Sequence, residues 1–154
     1  MLFLLFRLGK DRYALETGSV VEVLPMVQWK TIPRTVAGVA GVFNYHGSPV
    51  PLIDLRALAL SKPSRRWMST RIIIVEHTGE ARERHLLGLL AERATGMIRR
   101  SEEDFIDSGV SVASAPYLGP VTMDERGIVQ RVEVKRLLPA AVLNELFQQP
   151  LELL

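Results

Sequence analysis

The sequence predicts a mostly β fold, a small barrel or sandwich with one helix near the C-terminal end. About eight short runs of apolar or β-branched residues are separated by segments that contain glycine or proline. Apolar residues show clear helical spacing only once, at Leu138, Val142 and Leu146. The chain has 154 residues, of which 47% are apolar and none is cysteine, so a hydrophobic core rather than disulfides must hold the fold together.

The predicted strands follow one another from the N-terminus to residue 134. The apolar N-terminus lacks the basic segment and the cleavage site of a signal peptide, so we interpret it as the first strand. Gly9–Asp11 predicts a hairpin loop after it, and Ile72–Val75 predicts a strand that is buried on both faces. In order, the predicted strands are Phe3–Leu8, Arg12–Glu16, Ser19–Leu24, Val42–Tyr45, Val50–Leu55, Arg71–Glu76, Leu86–Ala91 and Gly127–Val134.

Short helices and loops connect these strands. Pro33–Ala40 predicts a single helical turn, and Ser101–Asp104 resembles a capping box, in which a serine and an acid three residues later satisfy the first backbone N–H groups. Asp107–Pro120 is rich in serine, glycine, alanine and proline, and we expect it to be the most mobile loop.

The C-terminal helix is predicted to begin at Pro139, which suits a first turn, and to end before Pro150. Leu151–Leu154 would then form a tail. No apolar run approaches the about 20 residues that a transmembrane helix needs. We therefore expect a cytoplasmic protein that does not insert into a membrane.

The charge of the chain is nearly balanced, with 19 basic and 17 acidic residues and a formal net charge of +2. This balance argues against nucleic acid as the main partner. The isoelectric point of about 9.2 and the basic loop Ser61–Arg71, which contains Trp67, nevertheless leave an alternative open, a small β-barrel that binds nucleic acid. Otherwise the basic loop is no more than a solvated connection.

No set of residues has the pattern of an active site or a metal site. His77 and His85 are predicted to lie in an exposed loop, and a metal would need three or four converging ligands. An unrecognised active site would have to use Asp104, Asp107 and His46. We therefore predict a binding protein that is not an enzyme and that has no cofactor and no metal.

The segment Gly38–Arg56 carries the most specific pattern in the chain. It lacks the lysine and hydroxyl residue that follow the glycines of a phosphate-binding loop. A glycine-valine-x-asparagine turn instead leads into a valine-proline-hydrophobic-hydrophobic-aspartate-leucine-arginine strand, and this pattern resembles the signature of the CheW-like adaptor family of bacterial chemosensory pathways. The matching residues are Gly41, Val42, Asn44, Gly47, Val50, Pro51, Asp54, Leu55 and Arg56.

The resemblance implies a fold of two small SH3-like, five-stranded β-barrels side by side, with short helices and a C-terminal helix. Residues 1–140 would form the CheW-like domain, and residues 141–154 the helix and tail. The implied function is a non-catalytic adaptor that couples a methyl-accepting-type chemoreceptor to a CheA-like histidine kinase. Such a protein would be recruited to membrane-bound receptor clusters and would bind the cytoplasmic tip of the receptor and the kinase regulatory domain. It would bind no nucleic acid, and self-association in arrays is plausible.

The resemblance also implies three sets of residues. Receptor contacts are implied at Val20, Glu22, His46 and Ala94. Kinase contacts are implied at Val39, Val42, Phe43, Val50 and Leu52. Structural roles in turns and strands are implied for Gly41, Asn44, Gly47, Pro51, Asp54 and Arg56.

The implied positions carry two local expectations and two departures from the family pattern. We expect Glu22 and His46 to form a local pair, and Asp54 to accept backbone hydrogen bonds at the start of the next turn. His46 stands where the family has arginine, and Tyr45 precedes it in place of leucine. Glu92-Arg93 stands where the family often has aspartate and glycine.

Overall fold

The computed structural model describes residues 1–78 and 82–147. The predicted end of the C-terminal helix at Pro150 and the predicted tail Leu151–Leu154 lie outside these residues. The strands are β1 (Leu2–Leu8), β2 (Asp11–Glu16), β3 (Val20–Pro25), β4 (Val39–Tyr45), β5 (Ser48–Asp54), β6 (Arg71–Thr78), β7 (Arg84–Arg99), β8 (Leu118–Asp124) and β9 (Gly127–Val132). The α-helices are α1 (Leu55–Leu60) and α2 (Ala140–Leu146), and short 3-10 turns occur at Thr17–Ser19, Glu102–Asp104 and Val134–Arg136.

The strands form two lobes that share the long strand β7. In lobe I, the first part of β7 pairs with β6 and β5, which pair in turn with β3 and β4. In lobe II, the second part of β7 pairs with β1, and the sheet continues through β2 and β9 to β8. Each lobe therefore has five strands when β7 is counted in both, which confirms the predicted fold class. In the described residues, the backbone pairing does not close either lobe into a complete ring.

The two lobes repeat one arrangement, in keeping with the two similar barrels that the resemblance implied. In lobe I, Lys30 forms an isolated bridge with Val42, the β4–β5 hairpin follows, β5 pairs in parallel with β7, and α1 comes next. In lobe II, Ile106 bridges Val121, the β8–β9 hairpin follows, β9 pairs in parallel with β2, and a 3-10 turn comes next. The hairpins β4–β5 and β8–β9 therefore occupy corresponding places.

A continuous core joins the lobes. Strand β6 has no exposed surface from Ile72 to Val75, as predicted. Because side chains alternate across a strand, Ile73 and Val75 pack in the central cluster with Leu4 and Phe6 of β1, whereas Ile72 and Ile74 pack in a second cluster inside lobe I. The central cluster therefore contains residues of both lobes.

Two strand predictions were incomplete. Strand β8 was missed, because the loop-like composition of Asp107–Pro120 conceals a strand that begins at Leu118 and pairs with β9 in one hairpin. Strand β7 continues eight residues beyond the predicted end, to Arg99. It continues through an irregularity near Arg93, whose φ of 52° lies in the left-handed region, so that one strand serves both lobes.

The helical predictions were partly correct. Pro33–Ala40 contains turns and no helix. The capping box at Ser101 is confirmed: the Asp104 carboxylate accepts hydrogen bonds from the Ser101 backbone N–H and hydroxyl, and these bonds lower the pKa of Asp104. Pro139 stands one residue before α2 rather than in its first turn. Leu143 of α2 is buried in the central cluster.

Candidate functional site

The β4–β5 hairpin turns over two residues, His46 and Gly47. Their φ angles are 51° and 88°, and two positive φ values are typical of the tight turn that matches the twist of paired strands. Asn44 Oδ1 accepts a hydrogen bond of 2.8 Å from the Gly47 backbone N–H. Histidine is one of the residues that tolerate this conformation. Asn44 and Gly47 thus lie in the turn in which the resemblance places them.

Glu22, Tyr45 and His46 form a polar cluster at the tip of this hairpin. The Tyr45 hydroxyl donates a hydrogen bond of 2.6 Å to Glu22 Oε1, and this bond raises the pKa of Tyr45. His46 Nε2 lies 3.7 Å from the same oxygen, so the predicted pair of Glu22 and His46 is confirmed. The side chains of His46 and Glu22 are 73% and 42% exposed, which leaves both of them accessible to a partner.

The other two predicted receptor contacts are less accessible. Val20 is half-buried and packs against the central core, so it serves the fold and leaves only part of its surface free. Ala94 is 4% exposed and belongs to the central cluster, while its backbone N–H donates to the carbonyl of Ser69. A partner cannot reach the Ala94 side chain in this fold, and we do not retain Ala94 as a contact.

The predicted kinase contacts also divide into buried side chains and partly accessible ones. Phe43, Val50 and Leu52 are buried in the cluster inside lobe I because they alternate inward along β4 and β5. We therefore do not retain their side chains as direct contacts. Val39 and Val42 are half-buried and keep some accessible surface.

Val42 lines an apolar groove of about 500 Å³ between the β4–β5 hairpin and the end of α2. Pro49 and Pro51 share its first wall, and Leu146 and Phe147 lie on the other. The sequence did not indicate the second wall, because nothing local to Leu146 or Phe147 shows that α2 ends beside this hairpin. The spacing of apolar residues along α2 was the one signal in the sequence for this second wall.

Gly41 and Asp54 have structural roles near the two ends of the signature segment Gly38–Arg56. A Cβ on Gly41 would lie 2.0 Å from the Lys30 carbonyl oxygen, and its φ of 152° also disfavours a side chain, so the backbone segments can approach this closely only at a glycine. Asp54 is 5% exposed and caps α1 by accepting hydrogen bonds from the backbone N–H groups of Arg56 and Ala57, as predicted. Pro51 lies in β5 opposite Val42.

The basic loop Ser61–Arg71 is more than a solvated connection, because it is anchored to the fold although most of its residues are exposed. Arg56 donates to the Pro63 carbonyl, and Arg65 contacts the buried carboxylate of Glu92 through its backbone N–H and its guanidinium, with Nη2 at 3.3 Å. Arg56 Nε lies 3.9 Å from Glu92 as well. The loop is therefore held against β7 by the residue that stands where the family often has aspartate.

The two histidines predicted in an exposed loop lie in strands instead. His77 of β6 and His85 of β7 are directly paired, and Phe147 stacks on His85 with 4.1 Å between ring centroids. Burial lowers the pKa of His77, and the nearby His85 lowers it further. In the described residues no three metal-ligating side chains come together, and no helix is long and apolar enough to cross a membrane.

The comparisons with known proteins agree with one another. A family model, the CheW-like domain, matches residues 2–142. The chain is 29% identical over 102 residues to a chemotaxis protein CheW of Helicobacter pylori, which covers 66% of this chain and 59% of that protein. The chain thus spans less than two thirds of the length of that relative.

Two further relatives and one solved structure are similar over more of their length. Chemotaxis protein CheW of Klebsiella aerogenes is 24% identical over 139 residues, covering 88% of this chain and 80% of that protein. Protein FrzA of Myxococcus xanthus is 29% identical over 121 residues, covering 77% and 72%. The crystal structure of scaffolding protein TtCheW from Thermoanaerobacter tengcongensis superposes with a TM-score of 0.77 at 23% identity, over 90% of this chain and 87% of that one, and shows the same fold.

Proposed function

Because this chain belongs to the CheW-like domain family, we propose that it is a non-catalytic adaptor that couples a chemoreceptor to a CheA-like histidine kinase in bacterial chemosensory signalling. It works in the cytoplasm at receptor clusters. One observation carries the proposal: the family signature folds into a hairpin whose body is core and whose tip and outer face are accessible. A scaffold needs two separate accessible surfaces on a rigid body, and the β4–β5 hairpin provides both.

The tip of the hairpin is the surface proposed for the receptor. Glu22 and His46 together present a carboxylate and an imidazole, and Tyr45 fixes the carboxylate by its short hydrogen bond. A side chain held in place loses less conformational entropy on binding than a free one. The tip is therefore suited to polar contacts with the helical hairpin of a receptor.

The outer face of the hairpin is the surface proposed for the kinase regulatory domain. The groove lined by Val42 and Pro51 is largely apolar, and the core of a protein interface typically buries apolar side chains. Val39 lies on the same strand as Val42. The polar tip and the apolar groove would thus bind two partners through different chemistry.

The arrangement of the basic loop removes the main support for the nucleic-acid alternative. Arg66 lies over the Trp29 ring at 4.4 Å, and Trp67 has Arg65 and Arg93 at 4.0 and 4.6 Å from its ring centroid. Stacking of bases needs free aromatic faces, and each of these two rings already has at least one guanidinium group of the protein over it. We therefore do not propose nucleic acid as a partner.

Binding of two purified fragments tests the proposal: the cytoplasmic signalling tip of a methyl-accepting chemoreceptor and the regulatory domain of a CheA-like kinase, both from the same genome. We expect the chain to bind each fragment alone and both together. Val42→Glu should weaken kinase binding by about tenfold, since it places a charge in the groove, and should leave receptor binding within about twofold. Val42→Ala keeps the groove apolar and serves as the control. Failure of the unaltered chain to bind either fragment would overturn the proposal.

A further inference from the structure

Lobe II and the bend of β7 enclose a second cleft, far richer in positive charge than the groove beside Val42. It has a volume of about 240 Å³, several times the about 30 Å³ of one water in the liquid. Four arginines line it: Arg7, Arg12, Arg93 and Arg126. The other lining residues are Leu5, Phe6, Ser69, Thr95 and Gly96.

The positive charge of this cleft is only partly compensated. Arg7 and Arg12 are directly paired across β1 and β2, so two like charges face each other on one side of the sheet, an arrangement that is unfavourable by itself. Arg12 forms an ion pair with Asp124. Glu92, which is paired with Arg7 across β1 and β7, is occupied by Arg65. In the described residues, Arg12 is the only one of the four arginines whose guanidinium has a carboxylate within 4 Å.

Parts of the cleft are held in place before any ligand arrives. The Arg12 side chain is 10% exposed and is fixed by its contacts with Asp124. Arg93 has a φ of 52°, a conformation that costs free energy for an arginine, and its guanidinium rests over the Trp67 ring. Guanidinium groups bind planar oxyanions through two parallel hydrogen bonds. The arginines of the cleft whose guanidinium groups have no carboxylate partner therefore favour an oxyanion ligand.

We propose that this cleft binds neighbouring carboxylates of an acidic segment of a partner protein. The inference rests on the proposed function in one respect, because an adaptor has protein partners. Neighbouring acidic residues of a protein can present two carboxylates close together. Arg7 and Arg126 supply the uncompensated charge, and Ser69 and Thr95 supply hydroxyl donors within the same cleft. A partner with an acidic turn would dock there, and a partner with a neutral or basic turn would be rejected.

A fluorescence anisotropy titration tests the site with the full chain and a short fluorescein-labelled peptide of alternating aspartate and glutamate. We expect saturable binding that weakens with added salt, because salt screens exposed charges. The double variant Arg7→Gln/Arg126→Gln should lower the affinity by about tenfold. The matched variant Arg34→Gln/Arg99→Gln removes the same charge outside the cleft and should change the affinity by less than about twofold.

Three outcomes would overturn the inference. The first is that the acidic peptide does not bind, and the second is that both double variants lose the same affinity for it. The third is that inorganic phosphate at an equal concentration of charge displaces the peptide, which would assign the site to phosphate. A neutral peptide of alternating asparagine and glutamine must not bind. Failure here would leave the binding of the receptor and kinase fragments intact, whereas failure of the proposed function would abolish that binding whatever the peptide does.

Discussion

The β4–β5 hairpin of lobe I ends in His46 and Gly47, whereas the β8–β9 hairpin in the corresponding place of lobe II ends in Glu125 and Arg126. The first tip contacts the rest of the protein through the partly exposed Glu22, which accepts a hydrogen bond from the Tyr45 hydroxyl and lies 3.7 Å from His46. The second is held at its base by Asp124, which receives two hydrogen bonds from the Arg12 guanidinium.

The ion pair at the second hairpin joins residues that are 112 positions apart in the chain. Asp124 also accepts a hydrogen bond of 2.8 Å from the Arg126 backbone N–H. The Arg12 guanidinium holds the pKa of Asp124 well below its usual range. The two hairpins thus show how one repeated arrangement can serve two purposes: the second fastens the fold, and the first leaves its tip free for a partner.

The largest expected effect separates the body of the first hairpin from its tip. Phe43 is buried, and its ring packs so closely over Gly88 that a Cβ there would lie 2.6 Å from it. Phe43→Ala should lower the free energy of unfolding by about 4 kcal/mol, the usual cost of truncating a buried aromatic side chain. Urea denaturation measures this loss. A loss below about 1 kcal/mol would show that the hairpin body is not part of the core.

The next effect concerns the base of the second hairpin. Asp124→Asn removes the charge that binds Arg12 and should lower the free energy of unfolding by about 2 kcal/mol, since charge-assisted hydrogen bonds of a largely buried guanidinium are lost. Glu125→Gln, one residue further at the exposed tip, should change it by less than about 0.5 kcal/mol. Equal effects of the two substitutions would remove the distinction between base and tip.

The low pKa of Asp124 predicts a matching dependence on acid. A carboxylate whose folded pKa is depressed stabilises the fold above its unfolded pKa of about 3.9 and loses that contribution as the pH falls toward the folded pKa. The difference in unfolding free energy between the unaltered chain and Asp124→Asn should therefore be constant near neutrality and shrink below about pH 4. Urea midpoints measured across this range would contradict the assignment if the difference grew in acid.

The smallest expected effect on stability belongs to the first tip. Tyr45→Phe removes the hydrogen bond to Glu22 in a largely solvated setting and should lower the free energy of unfolding by about 0.5 kcal/mol or less. A thermal melt compared with Asp124→Asn gives the contrast directly. A loss as large as that of Asp124→Asn would show that both tips fasten the fold.

Local patterns predicted the parts of the fold that depend on neighbouring residues. The buried run Ile72–Val75, the turn at Gly47 and the cap by Asp54 were all correct, because alternation, turn chemistry and capping act over a few residues. The parallel pairings of β2 with β9 and β5 with β7 left no such signal. The resemblance implied two similar lobes, but the residue patterns alone did not reveal these distant pairings. Strand β8 was missed because Asp107–Pro120 has the composition of a loop.

The candidate site, like the fold, was predicted only in part. The resemblance placed Glu22 beside His46, and the structure brings them together. It also placed contacts at Ala94 and Phe43, whose side chains face the core because position along a strand, not identity alone, decides which face a residue occupies. The ion pair of Arg12 and Asp124 was not predicted at all.

The measurement that tests the account most directly is the affinity of the receptor tip fragment for two charge-reversed variants, one in each lobe. Glu22→Lys alters the polar cluster at the first tip, and Glu125→Lys makes the same change in charge at the corresponding tip of lobe II. We predict that Glu22→Lys lowers the affinity by about tenfold or more while kinase binding stays within about twofold, and that Glu125→Lys leaves both within about twofold. Equal losses in the two variants, or an equal loss of receptor and kinase binding in Glu22→Lys with the fold intact, would contradict the account.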